Sequence, residues 1–175
     1  IRDSRNTMSK THRSASQTGK LAKHRGSSFE LEIARLLEME LGIKFQRNLE
    51  QVRTAGHSDL VPEDPAFPFS LELKRRRAGN YIPAGAWRQA QIASSLHDGS
   101  FPCVVYRYDR LAPRAVVPFS AIVEGETGSK THNNEDQADL SFTAFCKLTR
   151  EILAWREWRR EHDEGHDQNV SGFKT

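Results

Sequence analysis

The sequence predicts a small mixed α/β domain with an antiparallel hairpin in the middle of its sheet and an extra helix at the C-terminal end. Three observations predict it. Phe29, Ile33, Leu36 and Leu37 recur at helical spacing. Phe69, Leu71 and Leu73 alternate with Ser70, Glu72 and Lys74, the two-residue period of a half-buried strand. The segments identified in this way follow one another as helix, three strands, helix, two strands, helix. A chain of 175 residues is long enough for one core, and its 37% apolar and 28% charged content leads us to expect polar arms at both ends.

Taken in order, residues 1–25 are expected to form a flexible basic arm, because Ser, Thr, Lys and His dominate and few side chains there can be buried. Met8 is expected to be the natural start, with residues 1–7 an upstream or cloning remnant. The first helix is predicted from Gly26, with Ser27 or Ser28 as its cap and acids in its first turns; Gly42 follows Leu41 as a stop. Ile43 and Phe45 alternate with Lys44 and Gln46, which suggests a strand into Arg47, and Gln51 to Thr54 extend it or pair with it. A turn over Ala55 to Ser58 leads into a short strand, Asp59 to Val61, which Pro62 breaks. The proline-rich link to Pro68 returns the chain into Phe69–Lys74 as an antiparallel neighbour. A second helix is read over Ala84–Leu96. Strands follow at Cys103–Tyr108 and Ala115–Val117, rich in β-formers. Residues 26–123 therefore make the core, 124–139 a flexible polar loop, 140–162 a C-terminal helix carrying Phe142, Phe145, Leu148, Ile152 and Trp155, and 163–175 a polar tail.

Composition excludes some classes. No apolar run approaches the ~20 residues of a membrane span, so no membrane partner is expected and the protein is placed in the cytoplasm. Cys103 and Cys146 lie far apart without ligand spacing and are read as two reduced, buried thiols. Before Glu30 the chain carries Arg2, Arg5, Lys10, Arg13, Lys20, Lys23 and Arg25 against the single acid Asp3, and Lys74 to Arg77 form a second basic run. Such clustering suits a polyanion, although charge runs also serve as solubilising faces.

The alternation at Phe69–Lys74 projects Glu72 and Lys74 from one face. If the Asp59 strand pairs with it, two carboxylates and the backbone carbonyl of Leu73 converge. Magnesium takes such hard oxygen ligands and keeps several waters, with manganese a possible substitute. Lys74 would stand beside an attacking water or the phosphate. Asp59 followed by Glu72-Leu73-Lys74 resembles the PD-(D/E)XK nuclease signature, with Ser58 in place of the usual proline. The resemblance implies a restriction-endonuclease-like core, α-β-β-β-α-β-β with a mixed sheet, here with an added C-terminal helix. Upstream, Arg25-Gly26-Ser27-Ser28-Phe29-Glu30-Leu31-Glu32 resembles the opening of Hjc-type and phage-encoded Holliday junction resolvases, and Trp87-Arg88-Gln89-Ala90 resembles their second-helix segment. The similarity covers about residues 25–120; the last helix and the tails have no evident counterpart.

That resemblance implies a metal-dependent, structure-selective DNA endonuclease of phage or prophage origin, working in the host cytoplasm. Asp59 and Glu72 would bind metal together with the Leu73 carbonyl, Glu30 would complete or tune the site, Lys74 would activate water and Gln89 would support the site. Arg25, Arg47, Arg53, Arg75, Arg76 and Arg77 would grip phosphates of branched or duplex DNA. A junction requires two symmetric cuts, which implies a homodimer. Plainer roles exist for each residue. Glu30 suits a helix first turn, Asp59 a turn cap, Lys74 to Arg77 a solvated strand end and Gln89 a helix surface, while Glu32 points away from Glu30. The alternatives are a restriction-like or repair endonuclease of the same fold, a DNA-binding module without chemistry, and a structural virion protein.

Overall fold

The computed structural model describes residues 15–48, 57–97, 99–123 and 136–167, with side chains described only between 24 and 162 of these. Arg53 and the expected strand at Gln51–Thr54 lie outside the described residues, as do 124–135 of the expected loop.

Among the described residues ten elements follow one another: α1 (Ala15–Leu41), β1 (Phe45–Arg47), β2 (Leu60–Pro62), β3 (Phe69–Arg76), α2 (Ala86–Ser95), β4 (Phe101–Tyr108), β5 (Arg114–Pro118), α3 (Ser120–Val123), β6 (Gln137–Ser141) and α4 (Phe142–Asp167). The six strands form one sheet in chain order. Among the described residues only the β3–β4 pair is parallel, running from Phe69↔Phe101 to Arg76↔Tyr108. A parallel pair needs a crossover, and α2 supplies it. The remaining pairs are antiparallel, and β2 meets β3 through one register pair, Leu60↔Leu71.

Strand alternation divides the core into two layers. Leu71, Leu73, Cys103, Val105, Ala115 and Val117 face Phe29, Ile33 and Leu37 of α1 and Phe145 and Ile152 of α4. Val104, Tyr106, Tyr108 and Val116 face Ala86 and Ala90 of α2. The small alanines of α2 let that helix lie close on the sheet. Glu72 and Lys74 share the parity of this second layer, in register with Val104 and Tyr106.

The expected core order is present, with differences at the ends. The first helix opens at Ala15, not at Gly26, so Gly26 lies in a helix interior and Ser27 and Ser28 are not caps. Residues 15–24 hold Ala, Gln, Lys and Leu, good helix formers that lack the apolar stripe by which the remainder of α1 was recognised. Gly42, at φ 71°, does end α1, where the left-handed conformation favours glycine. The expected loop over 124–139 gives way at its end to β6, an edge strand paired with β5. The final helix starts at Phe142 and runs to Asp167, into the expected tail. Both cysteines are buried and free.

Candidate active site

The link between β2 and β3 brings the acids together. The Asp59 N–H donates to the Leu71 carbonyl at 2.8 Å. Leu71 therefore turns its peptide groups toward β2, and by alternation so does Leu73. There is no β2 residue left to pair with Leu73. The Asp59 carboxylate takes that place and accepts the Leu73 N–H at 2.5 Å. The Leu73 carbonyl points along the same edge, so a carboxylate and a backbone carbonyl share one gap in the ladder. Glu72, 6% exposed, projects from the same strand and pairs with Lys74, which confirms the shared face of these two side chains.

Burial and the negative charge of Glu72 push the Asp59 carboxyl up to about 7 from 3.8, with Glu30 adding to the rise; the Leu73 N–H and the Lys74 ammonium oppose it. Asp59, Glu72, Lys74 and Glu30 thus lie within electrostatic reach of one another. Glu30 arrives from α1, where Phe29 and Ile33 anchor the helix in the core. Its carboxylate pairs with Arg47 Nε at 2.5 Å, and the same guanidinium donates to Ser27 Oγ at 3.2 Å. Arg47 is opposite Leu60 in the β1–β2 register, one residue from Asp59.

Other expected residues are placed differently. Gln89 is exposed on α2, and among the described residues no side-chain bond ties it to Glu72 or Lys74. Arg47, expected on DNA, is engaged with Glu30 and Ser27. Arg75 pairs with Asp109 at 3.3 Å. Arg25, Arg76 and Arg77 are exposed. Glu32 turns away from the site, as its position on the helix implied, and meets Arg107 in a two-pronged pair at 2.5 and 2.7 Å. Arg107 also lies over the Phe29 ring, 5.1 Å from its centroid. Arg107 was missed, although an arginine in the apolar run Phe101–Tyr108 was a visible signal.

The segment after β3 is held by tyrosines the sequence did not single out. The Tyr108 hydroxyl donates to the Tyr81 carbonyl, Tyr81 donates to Gln137 at 2.9 Å, and Tyr106 donates to Asp139 at 2.9 Å. Burial and the Asp139 carboxylate push the Tyr106 hydroxyl up to about 12. Gly79, at φ 147°, lies so close to the Tyr108 ring that a side chain would collide with it.

A hard divalent cation fits the donor set. The buried Glu72 and the part-buried Asp59, whose carboxyl is pushed up by desolvation and then by Glu72, are relieved by a cation, and one carbonyl stands beside them. Among the described residues no group of three or more His, Cys, Asp or Glu side chains is arranged to hold a metal. Among the described residues no helix is long and apolar enough to cross a membrane.

A family model described as "Phage putative PDDEXK endonuclease" matches residues 21–162. That span includes β6 and α4 up to His162, so the C-terminal helix has a counterpart after all. No curated protein matches the chain. Among solved structures, Hjc from Archaeoglobus fulgidus, a Holliday junction resolvase from an archaeal hyperthermophile, is similar at a TM-score of 0.46 and 15% identity, covering 71% of this chain and 98% of that one.

Proposed function

The chain belongs to this family of phage PDDEXK endonucleases, and from that premise we propose that it is a divalent-metal-dependent, structure-selective DNA endonuclease that resolves four-way junctions. One observation carries the chemistry. The Asp59 carboxylate fills a gap in the β2–β3 ladder beside the Glu72–Lys74 pair, and its proton is held to about 7 by burial and by Glu72. The junction as substrate is supported by the sequence resemblance of the Gly26–Glu32 segment and the Asp59, Glu72, Lys74 motif.

Asp59, Glu72 and the Leu73 carbonyl would hold the cation, magnesium in the first place and manganese as a substitute. When bound, it supplies charge neutralisation at the scissile phosphate and a lowered pKa for water. Lys74 presents its ammonium next to the carboxylates, where it holds the attacking water or a phosphate oxygen. Glu30 keeps Arg47 turned toward the site and adds negative charge near Asp59. Gln89 belongs to the site only if α2 or its side chain moves, because it is exposed and unattached to the acids here. Arg25, Arg53, Arg76 and Arg77 grip the backbone of the arms, while Arg47 and Arg75 contribute after exchanging carboxylate for phosphate. Two cuts at one junction imply a homodimer, for which α4 offers a face carrying Trp158, 54% exposed.

A labelled four-way junction tests the proposal. With magnesium the protein is expected to give paired nicks, whereas Asp59→Asn and Glu72→Gln bind the junction and cut at least ~100-fold more slowly. Normal cutting by both variants would overturn the catalytic assignment. Equal cutting of linear duplex would leave a nuclease of restriction or repair type in place of a resolvase.

A further inference from the structure

A cavity of about 460 Å³ opens between the β2–β3 link, the C-terminal end of α2 and α4. None of the site's acids lines it, but residues adjoining them in the chain do. Ser58, which precedes Asp59, lines it, and so does Ser70, which shares a face of β3 with Glu72 two residues on, ~7 Å along the strand. Its lining combines three chemistries. Pro65, Phe67 and Leu96 give apolar surface, Ser70 and Ser100 give hydroxyls, and Arg156 gives a guanidinium.

Arg156 is the informative residue. It reaches from α4 and donates to the carbonyls of Ala66 at 3.1 Å and Gly99 at 2.6 Å. No carboxylate among the described residues pairs with it, and burial lowers its pKa. A half-buried cation without a counter-ion is costly, and a guanidinium has five N–H donors, of which two are used here. An anion entering the cavity would meet the remainder. The Ser70 and Ser100 hydroxyls, 2.8 Å apart, offer donors and acceptors to a polar edge.

We infer that this cavity is a nucleotide site, which takes one unstacked nucleotide beside the scissile phosphate, its base against Pro65, Phe67 and Leu96 and its phosphate on Arg156. The inference rests on the nuclease reading and deepens it. Unstacking a base costs least where the base is unpaired or at a branch point. A pocket that rewards an unstacked nucleotide therefore selects distorted DNA without reading sequence.

Thymidine 3′,5′-bisphosphate is the probe, titrated by calorimetry into the full chain in EDTA, with inorganic phosphate and thymidine as separate arms. The bisphosphate is expected to bind at least ~10-fold tighter than either fragment, since it fills both halves of the pocket. Arg156→Gln removes the charge-assisted bonds, and Leu96→Trp fills the cavity from a position 54% exposed, so the second variant keeps its fold if the first does not. Each is expected to weaken binding by ~5-fold or more, whereas Arg114→Gln, on β5 and away from the cavity, leaves it unchanged. Leu96→Trp is also expected to lower the ratio of junction to linear-duplex cleavage by ~5-fold. Binding that ignores both pocket variants, or that Arg114→Gln weakens as much as they do, overturns the proposal; junction cleavage by the wild type in that case leaves the nuclease reading standing. Pocket-dependent binding by a chain that cuts no DNA supports the nucleotide site and overturns the nuclease.

Discussion

Asp59 opposes folding of the metal-free protein. Its carboxyl is raised from 3.8 to about 7, so the unfolded chain releases this proton before the folded one does. Folding stability from this group is complete below 3.8, falls as pH rises through the window to about 7, and stays low above it. Asp59→Asn keeps an oxygen to accept the Leu73 N–H and removes the titration. In EDTA the variant is expected to be ~1–3 kcal/mol more stable than wild type at pH 8 and equal to it near pH 3.5, as urea denaturation would show. Magnesium has to displace the same proton. Its affinity for the wild type is therefore expected to rise as pH goes from ~6 to ~8, read by calorimetry. Lys74→Met tests a different atom. It removes an ammonium from beside Glu72 without cutting into the core, so it should slow cleavage ~100-fold while junction affinity changes little.

At the scale of elements, two glycines have opposite prospects. Gly26 lies inside α1, and a methyl group there would meet nothing nearer than Glu30 Oε1 at 3.9 Å. Gly26→Ala is expected to raise stability by ~0.5–1 kcal/mol, measured as a shifted urea midpoint. Gly79→Ala places a carbon against the Tyr108 ring, so the ring must move and its bond to the Tyr81 carbonyl is lost. That variant is expected to lose ~1–3 kcal/mol. The same elements explain what was legible in the sequence. β3 was readable because Leu71 and Leu73 enter one layer while Ser70, Glu72 and Lys74 serve the other, which writes a two-residue period into the chain. β6 was not, because an edge strand with the buried positions Ala138 and Leu140 only in part covered leaves little apolar signal. The first turns of α1 were missed for the same reason. The site's acids were legible because motif spacing records strand pairing. Their partners were not, since the pairs Glu30–Arg47 and Glu32–Arg107 join residues 17 and 75 positions apart and depend on how helix and sheet meet. Gln89 was placed by resemblance alone, and α2 leaves it exposed.

For the whole molecule, a formal net charge of +3 does not say which cations DNA meets, because several are already neutralised within the fold. Arg47, Arg75 and Arg107 have carboxylate partners, while Arg76 and Arg77 are exposed beside β3. Arg76→Ala and Arg77→Ala are each expected to reduce the slope of log affinity against log salt by ~1, whereas Arg107→Ala should cost stability and leave the slope unchanged. The strand joints are uneven in the same way. β3 and β4 share eight register pairs, from Phe69↔Phe101 to Arg76↔Tyr108, whereas β2 is joined to β3 at Leu60↔Leu71 and by the bonds of Asp59. The β1–β2 margin is thus expected to open as a separate unit, its amide protons exchanging with deuterium through excursions that leave the sheet centre intact. Ionising Asp59 would loosen that margin and a bound cation would fasten it, so the exchange rate of the amides of residues 57–61 would report metal occupancy with no substrate present.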